Sequence, residues 1–398
     1  MGEEVKEAAK KTVQPKTSKS RKLADPREAS IDEATQQMIV RAHDLGIDTV
    51  FDRAQNMKPC NIGTQGTCCK NCGMGPCRLP LPKGGIEGED DRKGLCGATA
   101  NTIAARNFIR MIAGGAAAHS DHGRCVAEVF RAAAHKESQD YHIKDTAKLL
   151  AIAPYFDVAT TVEIDGEQVA RSIDEIAVEV ADKAMAEWGK PEGELAYLQR
   201  APKQLYDKWE KNGVLPRNID REIVEIMHRT HIGVDQDYKN LMKQGTRAAI
   251  ADGWGGSMLA TDLQDVLFGT PSPVQSEANL GVMKEDYVNI VIHGHEPVLS
   301  EMIVAVAQTR EMDEYAKSKG AKGIQLSGIC CTANEVLQRH GVPLCGTFLQ
   351  QELAIITGAC DAMVVDIQCI FQAVANVANC FHTKIITSHP IAKMEQDN

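Results

Sequence analysis

The spacing of apolar residues separates a helical part of the chain from a part in which short strands alternate with helices. Residues 172–188 place apolar side chains at i, i+3, i+4 and i+7, which is typical of an amphipathic helix. Residues 98–134 are rich in alanine and helical in pattern, and residues 221–233 form a third helical stretch. The pattern predicts no strand before about residue 265, so we expect a helical N-terminal part.

The first residues differ from both parts because they contain few side chains that could be buried. We therefore interpret residues 1–29 as a disordered tail. Ser30 and Glu33 have the spacing of a capping box, in which both side chains bond free N–H groups at the start of a helix. This spacing predicts a helix that continues to about Gly46.

Four β-branched runs follow, and each of the first three precedes a helical stretch. They are VNIVIHGHEP (288–297), GIQLSGICCT (323–332), AMVVDIQC (362–369) and KIITSHP (384–390). Strands that alternate with helices favour a parallel, doubly wound sheet. In such sheets, ligands bind beyond the carboxyl ends of the strands.

Metal-binding side chains occupy that position after three of the four strands. They are His293, His295, Cys330, Cys331 and Cys369. The pattern therefore predicts that groups from three strand ends share one crevice. We interpret His293 as a turn residue, and Cys330 keeps an alternate-ligand role open.

The composition argues against several classes of function. Lysine and arginine total 44 against 54 acidic residues, a net charge of −10, whereas nucleic-acid binding favours a basic surface. No apolar run reaches the length of a membrane span, and the N-terminus lacks the apolar segment of a secretory signal. We therefore expect a cytoplasmic protein whose thirteen cysteines bind metal or act in catalysis rather than form disulfides.

The cysteine loop, residues 60–96, contains one complete set of four thiolates. The set is Cys69, Cys72, Cys77 and Cys96, with the spacing C-x2-C-x4-C and a distant fourth member. Four thiolates hold either zinc or an iron–sulfur cluster, and spacing alone does not separate the two. Zinc ribbons usually pair two C-x2-C motifs, and a single one here favours a cluster.

Cys60 and Cys68 remain outside that set. Adjacent side chains in an extended segment point to opposite faces, so Cys68 and Cys69 are expected to serve different sites. Two cysteines supply half of a ligand set, and a two-fold dimer would supply the same pair from its partner. The alternative is that Cys60 is an ordinary buried thiol.

Several motifs together resemble the anaerobic nickel–iron carbon monoxide dehydrogenases from about Ile31 onward. They are CNIGTQGTCCKNCGMGPCR (60–78), GLCGATA (94–100), AAHSDHGR (117–124), HGHEPVLSE (293–301), GICCTANEV (328–336) and DIQCI (366–370). The resemblance implies an α + α/β fold of prismane or hybrid-cluster type. A helical domain (30–270) with the cysteine loop would precede a first Rossmann-like domain (271–398), and the family's second α/β domain would be missing.

The resemblance also implies three metal clusters in a homodimer. Cys60 and Cys68 would hold a 4Fe–4S cluster shared between subunits, and the four-cysteine set would hold an inner 4Fe–4S cluster. His295, Cys331 and Cys369 would bind a nickel–iron–sulfur cluster, together with ligands that this chain does not contain. By the same resemblance, CO and water give CO2, two protons and two electrons reversibly, and the electrons pass to a ferredoxin-like acceptor. An acetyl-CoA synthase partner is left open.

Proton transfer needs groups that titrate near neutrality, which favours histidine. His119 and His122 lie at i, i+3 on one face of a predicted helix, where the family extends the row with further histidines. This chain has Cys125 and Glu128 at the next two steps. Asp252 resembles a carboxylate of the family's active site. The alternative is that the histidines are ordinary helix-face residues and that Asp252-Gly253 is a turn.

Three hypotheses follow. The chain is the N-terminal portion of a carbon monoxide dehydrogenase, or a non-catalytic electron-transfer protein that keeps the two 4Fe–4S sites. The third is a hybrid-cluster protein that reduces hydroxylamine, although the Cys68–Cys69 doublet followed by C-x4-C argues against it. Nickel content and the substrate reduced or oxidised separate the three.

Overall fold

The computed structural model describes residues 22–395, with helices first and a parallel sheet after them. The helices of the first part are α1 Pro26–Ala29, α2 Glu33–Asp44, α3 Val50–Asn56, α4 Asn61–Thr64, α5 Ala100–Ala134, α6 Thr146–Ile152, α7 Ile173–Gly189, α8 Lys203–Asn212, α9 Ile219–Arg229, α10 Tyr238–Ala251 and α11 Ala260–Phe268. A π-helical segment, Asp252–Leu259, joins α10 to α11. Two antiparallel hairpins pair β1 Cys68–Cys69 with β2 Cys77–Arg78, and β3 Thr161–Ile164 with β4 Glu167–Ala170.

Helix α5 lies at the centre of the helical part and is 35 residues long. It begins at Ala100, where the Thr99 side chain accepts a bond from the Thr102 N–H. Its buried face includes Ile109 and Phe130, which are fully covered. Helices α7, α9, α10 and α11 pack around it, so it is the central helix of this part.

The second part is a five-stranded parallel sheet with helices between its strands. Its strands are β5 Val288–His293, β6 Ile324–Ile329, β7 Leu344–Gly346, β8 Cys360–Val365 and β9 Lys384–Thr387. Its helices are α12 Pro297–Ala307, α13 Arg310–Ser318, α14 Cys330–His340, α15 Gln351–Ile356 and α16 Ala373–Ala378. The predicted fold class, a helical part followed by a Rossmann-like parallel sheet, is confirmed.

The strand order is β7-β6-β5-β8-β9, and every neighbouring pair is parallel. The chain therefore adds β6 and then β7 on one side of β5. It then crosses to the other side of β5, where it adds β8 and β9. This is the topological switch point at which the crevice of an open α/β sheet forms. The four predicted strands are all present.

Helices α2 and α3 come before the central helix α5 in the sequence, but they pack against the sheet region. Ile39 of α2 joins a core cluster with Leu353 and Ile356 of the sheet region. Arg41 Nε donates to the Ile356 carbonyl at 2.8 Å, and Arg53 forms an ion pair with the buried Glu352. The boundary near residue 270 between two domains stays a prediction.

Two expectations about the N-terminus need correction. Helix α2 begins at Glu33 because Asp32 caps it, accepting from the Thr35 N–H at 2.7 Å, so the predicted capping box from Ser30 to Glu33 is wrong. Residues 1–21 of the predicted disordered tail lie outside the described residues. The last residues of that tail include helix α1, and Ala24 is buried.

The prediction of no strand before residue 265 is also wrong. Every residue of β3 and β4 is exposed, so burial imposes no recognisable pattern on the hairpin. Its turn is formed by Asp165 and Gly166, both with positive φ, which suits the two-residue hairpin turn. Strand β7 was missed because it has only three residues.

Candidate metal centres

The strand-end site, defined by His295, Cys331 and Cys369, lies at the switch point of the sheet. His295 follows β5 by two residues, Cys331 lies in the first turn of α14 after β6, and Cys369 follows β8. Since β5 is hydrogen-bonded to both β6 and β8, these three strand ends are neighbours. The structure thus brings the three predicted residues to one edge of the sheet.

His295 has the surroundings of a ligand rather than of a surface histidine. It is 6% exposed, and its Nδ1 atom is buried without a hydrogen-bond partner among residues 22–395. Burial, helped by the nearby His119, lowers the pKa of His295 to about 4. The ring is therefore neutral at pH 7, the form in which imidazole binds metal.

The backbone around the cysteines of this site is strained. Cys330, Gln368 and Cys369 have φ values of 66°, 65° and 58°. Side chains other than glycine rarely adopt this left-handed region, which costs about 1–2 kcal/mol per residue. Such strain persists where the surrounding structure enforces it, and it clusters at functional sites.

The thiols of the site lie close enough to influence one another. Burial raises the pKa of Cys330 to about 12, and the neighbouring Cys369 and Cys331 add to the effect. Burial likewise raises the pKa of Cys331 and Cys369. A bound cation would favour the thiolates that this crevice otherwise disfavours.

Asp366 is a central residue that the sequence analysis missed. It directly follows β8 and is 5% exposed. Its carboxylate accepts from the backbone N–H groups of His295 at 2.7 Å and Glu296 at 3.0 Å. Burial raises its pKa to about 6. Its position at the end of the apolar run AMVV was the available signal, because a charged residue there must find buried partners.

Gln351 supports the same region from α15. Its Nε2 donates to the Cys369 carbonyl at 3.0 Å, and its Oε1 accepts from the Phe371 N–H at 2.9 Å. Oε1 also lies 3.0 Å from His293 Nε2. His293 is the fully buried last residue of β5, so its interpretation as a turn residue is wrong.

The helical part contributes His119 and His122 from α5. The His119 ring lies 6.3 Å from the His295 ring, centroid to centroid. His119 Nδ1 is 2.8 Å from Asp252 Oδ1, and this bond raises the pKa of His119. Asp252 opens the π-helical segment, so Asp252 and Gly253 do not form the turn considered as the alternative.

His122 forms a hydrogen bond with Gln264 of α11, which in turn contacts Glu335 of α14. With its amide oriented to satisfy both neighbours, Gln264 accepts from His122 Nε2 at 3.3 Å and donates to the Glu335 carboxylate at 2.7 Å. Burial, reinforced by the neighbouring His295 and His119, lowers the pKa of His122 to about 4. His122 is therefore neutral at pH 7.

The next steps along α5 differ from a histidine row. Cys125 is partly buried, and burial raises the pKa of its thiol to about 11, with the nearby Glu296 adding to the effect. Burial also raises the pKa of Glu296 to about 7. Glu128 is exposed, so this face of α5 runs from the crevice to solvent.

The cysteine loop forms a second centre at the other end of α5. Cys69 and Cys77 are opposite each other in the β1–β2 hairpin. The hairpin is attached to α5 by Asn107, whose Nδ2 donates to the carbonyls of Gly66 at 2.7 Å and Cys68 at 3.0 Å. This contact fixes the hairpin against the helix.

The four predicted inner ligands line one cavity of about 300 Å³. They are Cys69, Cys72, Cys77 and Cys96. Arg106 also lines it, 1% exposed, with its guanidinium 3.7 Å from Cys96 Sγ. Burial works against the Cys96 thiolate, but bonds from the Ala98 N–H and Arg106 outweigh it and lower the pKa.

Cys60 and Cys68 do not line this cavity. Cys60 is exposed and Cys68 partly buried, which rules out the interpretation of Cys60 as a buried thiol. The N–H groups of Gly63 and Ile62 lower the pKa of Cys60. The structure therefore separates the adjacent Cys68 and Cys69 into two environments.

Two features are absent from the described part of the chain. Across residues 22–395, no three His, Cys, Asp or Glu side chains are arranged to hold a single metal ion. No helix in the same range has both the length and the apolar character needed to cross a bilayer.

Comparison with known proteins identifies the family. Residues 67–397 match the Prismane/CO dehydrogenase family. The chain belongs to this family. Within the Prismane/CO dehydrogenase family, it is similar to carbon monoxide dehydrogenase 1 of Methanosarcina acetivorans, with 51% identity over 92% of this chain and 56% of the relative.

Two further relatives agree with this assignment. The carbon monoxide dehydrogenase/acetyl-CoA synthase subunit beta of Moorella thermoacetica is 44% identical over 92% of this chain and 53% of its own length. A nickel-free crystal structure of carbon monoxide dehydrogenase from Thermococcus sp. AM4 superimposes with a TM-score of 0.87 at 49% identity, covering 94% of this chain and 58% of that one. The chain thus spans little more than half the length of the relatives it matches.

Proposed function

We propose that this chain carries the metal sites of a nickel–iron carbon monoxide dehydrogenase. The reaction converts CO and water to CO2, two protons and two electrons, and it is reversible. The observation that carries the proposal is the convergence of His295, Cys331 and Cys369 at the switch point, beside His119 of α5. Relatives that share this part of the fold are named carbon monoxide dehydrogenase.

The strand-end site offers donor groups suited to a transition-metal cluster. His295 offers a neutral ring whose buried Nδ1 has no hydrogen-bond partner among residues 22–395, and the two cysteines offer soft thiolate ligands. When bound, the nickel–iron–sulfur cluster would supply the metals at which CO is oxidised. His295, Cys331 and Cys369 would hold it, with further ligands beyond these three.

The cysteine loop is proposed to hold an inner 4Fe–4S cluster. Cys69, Cys72, Cys77 and Cys96 line one cavity of about 300 Å³. Arg106 would favour the thiolate form of Cys96. The single C-x2-C motif and the match to the Prismane/CO dehydrogenase family support a cluster rather than zinc.

Cys60 and Cys68 are proposed to hold a second 4Fe–4S cluster shared by two subunits. Both lie outside the inner cavity, and Cys60 is exposed. A two-fold axis near them would complete a set of four thiolates. The homodimer, a ferredoxin-like acceptor that takes electrons from this cluster, and the cytoplasmic location belong to this proposal. An acetyl-CoA synthase partner is suggested by the Moorella relative's name.

The protons released by the reaction are proposed to be transferred by His119, His122 and Asp252. Asp252 accepts from His119 Nδ1, which leaves Nε2 able to take up a proton near the strand-end site. Gln264 accepts from His122 Nε2 and fixes that ring's orientation. Cys125 and Glu128 continue the same helix face toward solvent, with Glu128 able to release a proton.

The test is metal analysis and CO oxidation of anaerobically purified protein. Two 4Fe–4S sites, one of them shared, account for about six irons per chain. In protein that contains the remaining ligands of the nickel–iron–sulfur cluster, we expect about one nickel and more than six irons per chain, with CO-dependent reduction of a viologen dye. Cys369→Ser should lose the nickel and the dye reduction, whereas Cys380→Ser, which alters an exposed thiol, should lose neither.

Two other results would contradict the proposal in different ways. About six irons without nickel or CO oxidation would identify a non-catalytic electron-transfer protein. Hydroxylamine reduction without CO oxidation would place the chain with the hybrid-cluster proteins instead.

A further inference from the structure

Asp366 occupies the point at which the three strand ends of the strand-end site meet. Its Oδ1 accepts from the N–H groups of His295, at 2.7 Å, and Ile367. Its Oδ2 accepts from the Glu296 N–H at 3.0 Å and the Thr332 hydroxyl at 3.3 Å. One carboxylate therefore contacts the segments that follow β5, β6 and β8.

The surrounding backbone is built to admit this carboxylate. Gly294 has a φ of 142°, and a Cβ added there would lie 1.6 Å from Asp366 Oδ1. The Thr332 N–H donates to the Gly294 carbonyl at 2.9 Å, and the Asp366 N–H donates to the His293 carbonyl at 3.2 Å. The segments are thus tied to each other as well as to Asp366.

The chemistry of the four partners specifies a carboxylate. Three are backbone N–H groups, which only donate, and the Thr332 hydroxyl also donates here. An ionised carboxylate has about four acceptor positions and no donor, so it matches this set. An asparagine at the same position would turn an NH2 group toward two of the donors, leaving them without an acceptor.

We infer that Asp366 is the positioning residue of the strand-end site, holding His295, Cys331 and Cys369 in one arrangement through the segments that carry them. The inference rests on the proposed function because it takes these three as the cluster's ligands. Cys331 directly precedes Thr332, and His295 is itself one of the bonded residues. Loss of the carboxylate would release all three segments together.

A matched control lies at the opposite end of the same strand. Asp361, near the start of β8, accepts from the Asn289 N–H at 2.8 Å and contacts His382 Nε2 at 3.1 Å. It therefore also joins β8 to β5, but far from the strand-end site. Asp361→Asn tests whether losing an aspartate on β8 is sufficient to disturb the ligands.

Hydrogen–deuterium exchange of metal-free protein tests the inference directly. In Asp366→Asn we expect peptides covering 293–299 and 366–372 to exchange about tenfold faster or more, since tenfold corresponds to the net loss of about one buried hydrogen bond. Peptides of the cysteine loop should be unchanged. Asp361→Asn should leave both strand-end peptides unchanged.

Two results would overturn the inference. Unchanged exchange at 293–299 in Asp366→Asn would show that the carboxylate does not hold this segment. Faster exchange throughout the protein, including the cysteine loop, would mean that Asp366 serves folding in general. Thr332→Val removes a single donor and preserves shape, so a smaller acceleration confined to the same peptides is expected even if Asp366→Asn fails to fold.

Metal content provides the second readout. When purified anaerobically, Asp366→Asn and Gly294→Ala should each contain at least about tenfold less nickel than the wild type. Both should keep about six irons in the cysteine loop. Full nickel retention in both variants would overturn the inference. A wild-type protein that contains the remaining cluster ligands and still lacks nickel would contradict the proposed function, and the exchange experiment would then still decide the role of Asp366.

Discussion

The cysteine loop and the strand-end site reach similar chemistry by opposite routes. All six cysteines of the loop fall within residues 60–96, whereas the strand-end site draws on residues from 295 to 369 and lies beside His119 of α5. One is assembled by a short hairpin against a helix, and the other by the order of strands in a sheet. Local spacing can therefore specify the first, while only the fold as a whole specifies the second.

The two sites also differ in which residues adopt positive φ. Between residues 60 and 96, every residue with positive φ is a glycine, whereas Cys330, Gln368 and Cys369 adopt positive φ at the strand-end site. Glycine accepts this region freely, and other residues do so at a cost. The strand-end site therefore depends on the surrounding structure to hold its proposed ligands, and the following substitutions test that dependence.

Cys77→Ser should produce the largest effect and remain local. It removes one of four thiolates from the inner cavity, so we expect the loss of about four irons per chain. Acid-labile sulfide and iron analysis measures this directly. Cys380→Ser is the control and should retain all iron. If Cys77→Ser kept its full iron content, the four-cysteine ligand set would be incorrect.

Gln351→Leu should disturb the strand-end site and leave the cysteine loop unchanged. The substitution removes the donor to the Cys369 carbonyl and the acceptor for the Phe371 N–H, leaving buried groups unpaired. We expect about 3 kcal/mol of lost stability, measured by denaturant unfolding, together with reduced nickel content. An equal loss of iron from the cysteine loop would mean that the two sites are not independent.

Asp252→Asn should slow CO oxidation by about tenfold to hundredfold without changing metal content. The bond to Asp252 raises the pKa of His119, so removing that carboxylate should lower it. His119 would then lose its proton at a lower pH in the variant, and the pH profile of CO oxidation should shift in the acidic direction. An unshifted profile would contradict a proton-transfer role for this pair.

Asn107→Ala should have the smallest effect. It removes two bonds from α5 to the hairpin carbonyls of Gly66 and Cys68, and we expect a loss of about 1 kcal/mol confined to the loop. The cysteine loop should release iron faster to a chelator, whereas nickel should be retained. Loss of nickel at the same rate would contradict the separation of the two sites.

The sequence could predict what depended on spacing and periodicity. C-x2-C-x4-C, together with the distant Cys96, identified four residues that do line one cavity, and the β-branched runs located the strands whose ends carry His295, Cys331 and Cys369. Each inference used a rule that acts over a few neighbouring residues.

Single polar residues with distant partners could not be predicted in this way. Asp366 follows an apolar run, Gln351 and Gln264 lie among other polar residues, and the partners of all three lie on other elements. Their importance arises only from tertiary contacts. Asp252 was singled out only by the family resemblance, because the pair Asp-Gly indicates a turn in sequence but here begins a π-helical segment packed against α5.

Helix α5 sets the distance between the two proposed redox centres. Arg106 faces the cysteine cavity and His119 faces the strand-end site, about 20 Å apart along an axis that rises 1.5 Å per residue. Because α5 is continuous from Ala100 to Ala134, the separation of the two sites along it is set by helix geometry. One residue inserted between Arg106 and His119 would turn one site by about 100° relative to the other, so the proposed electron transfer between them depends on this spacing.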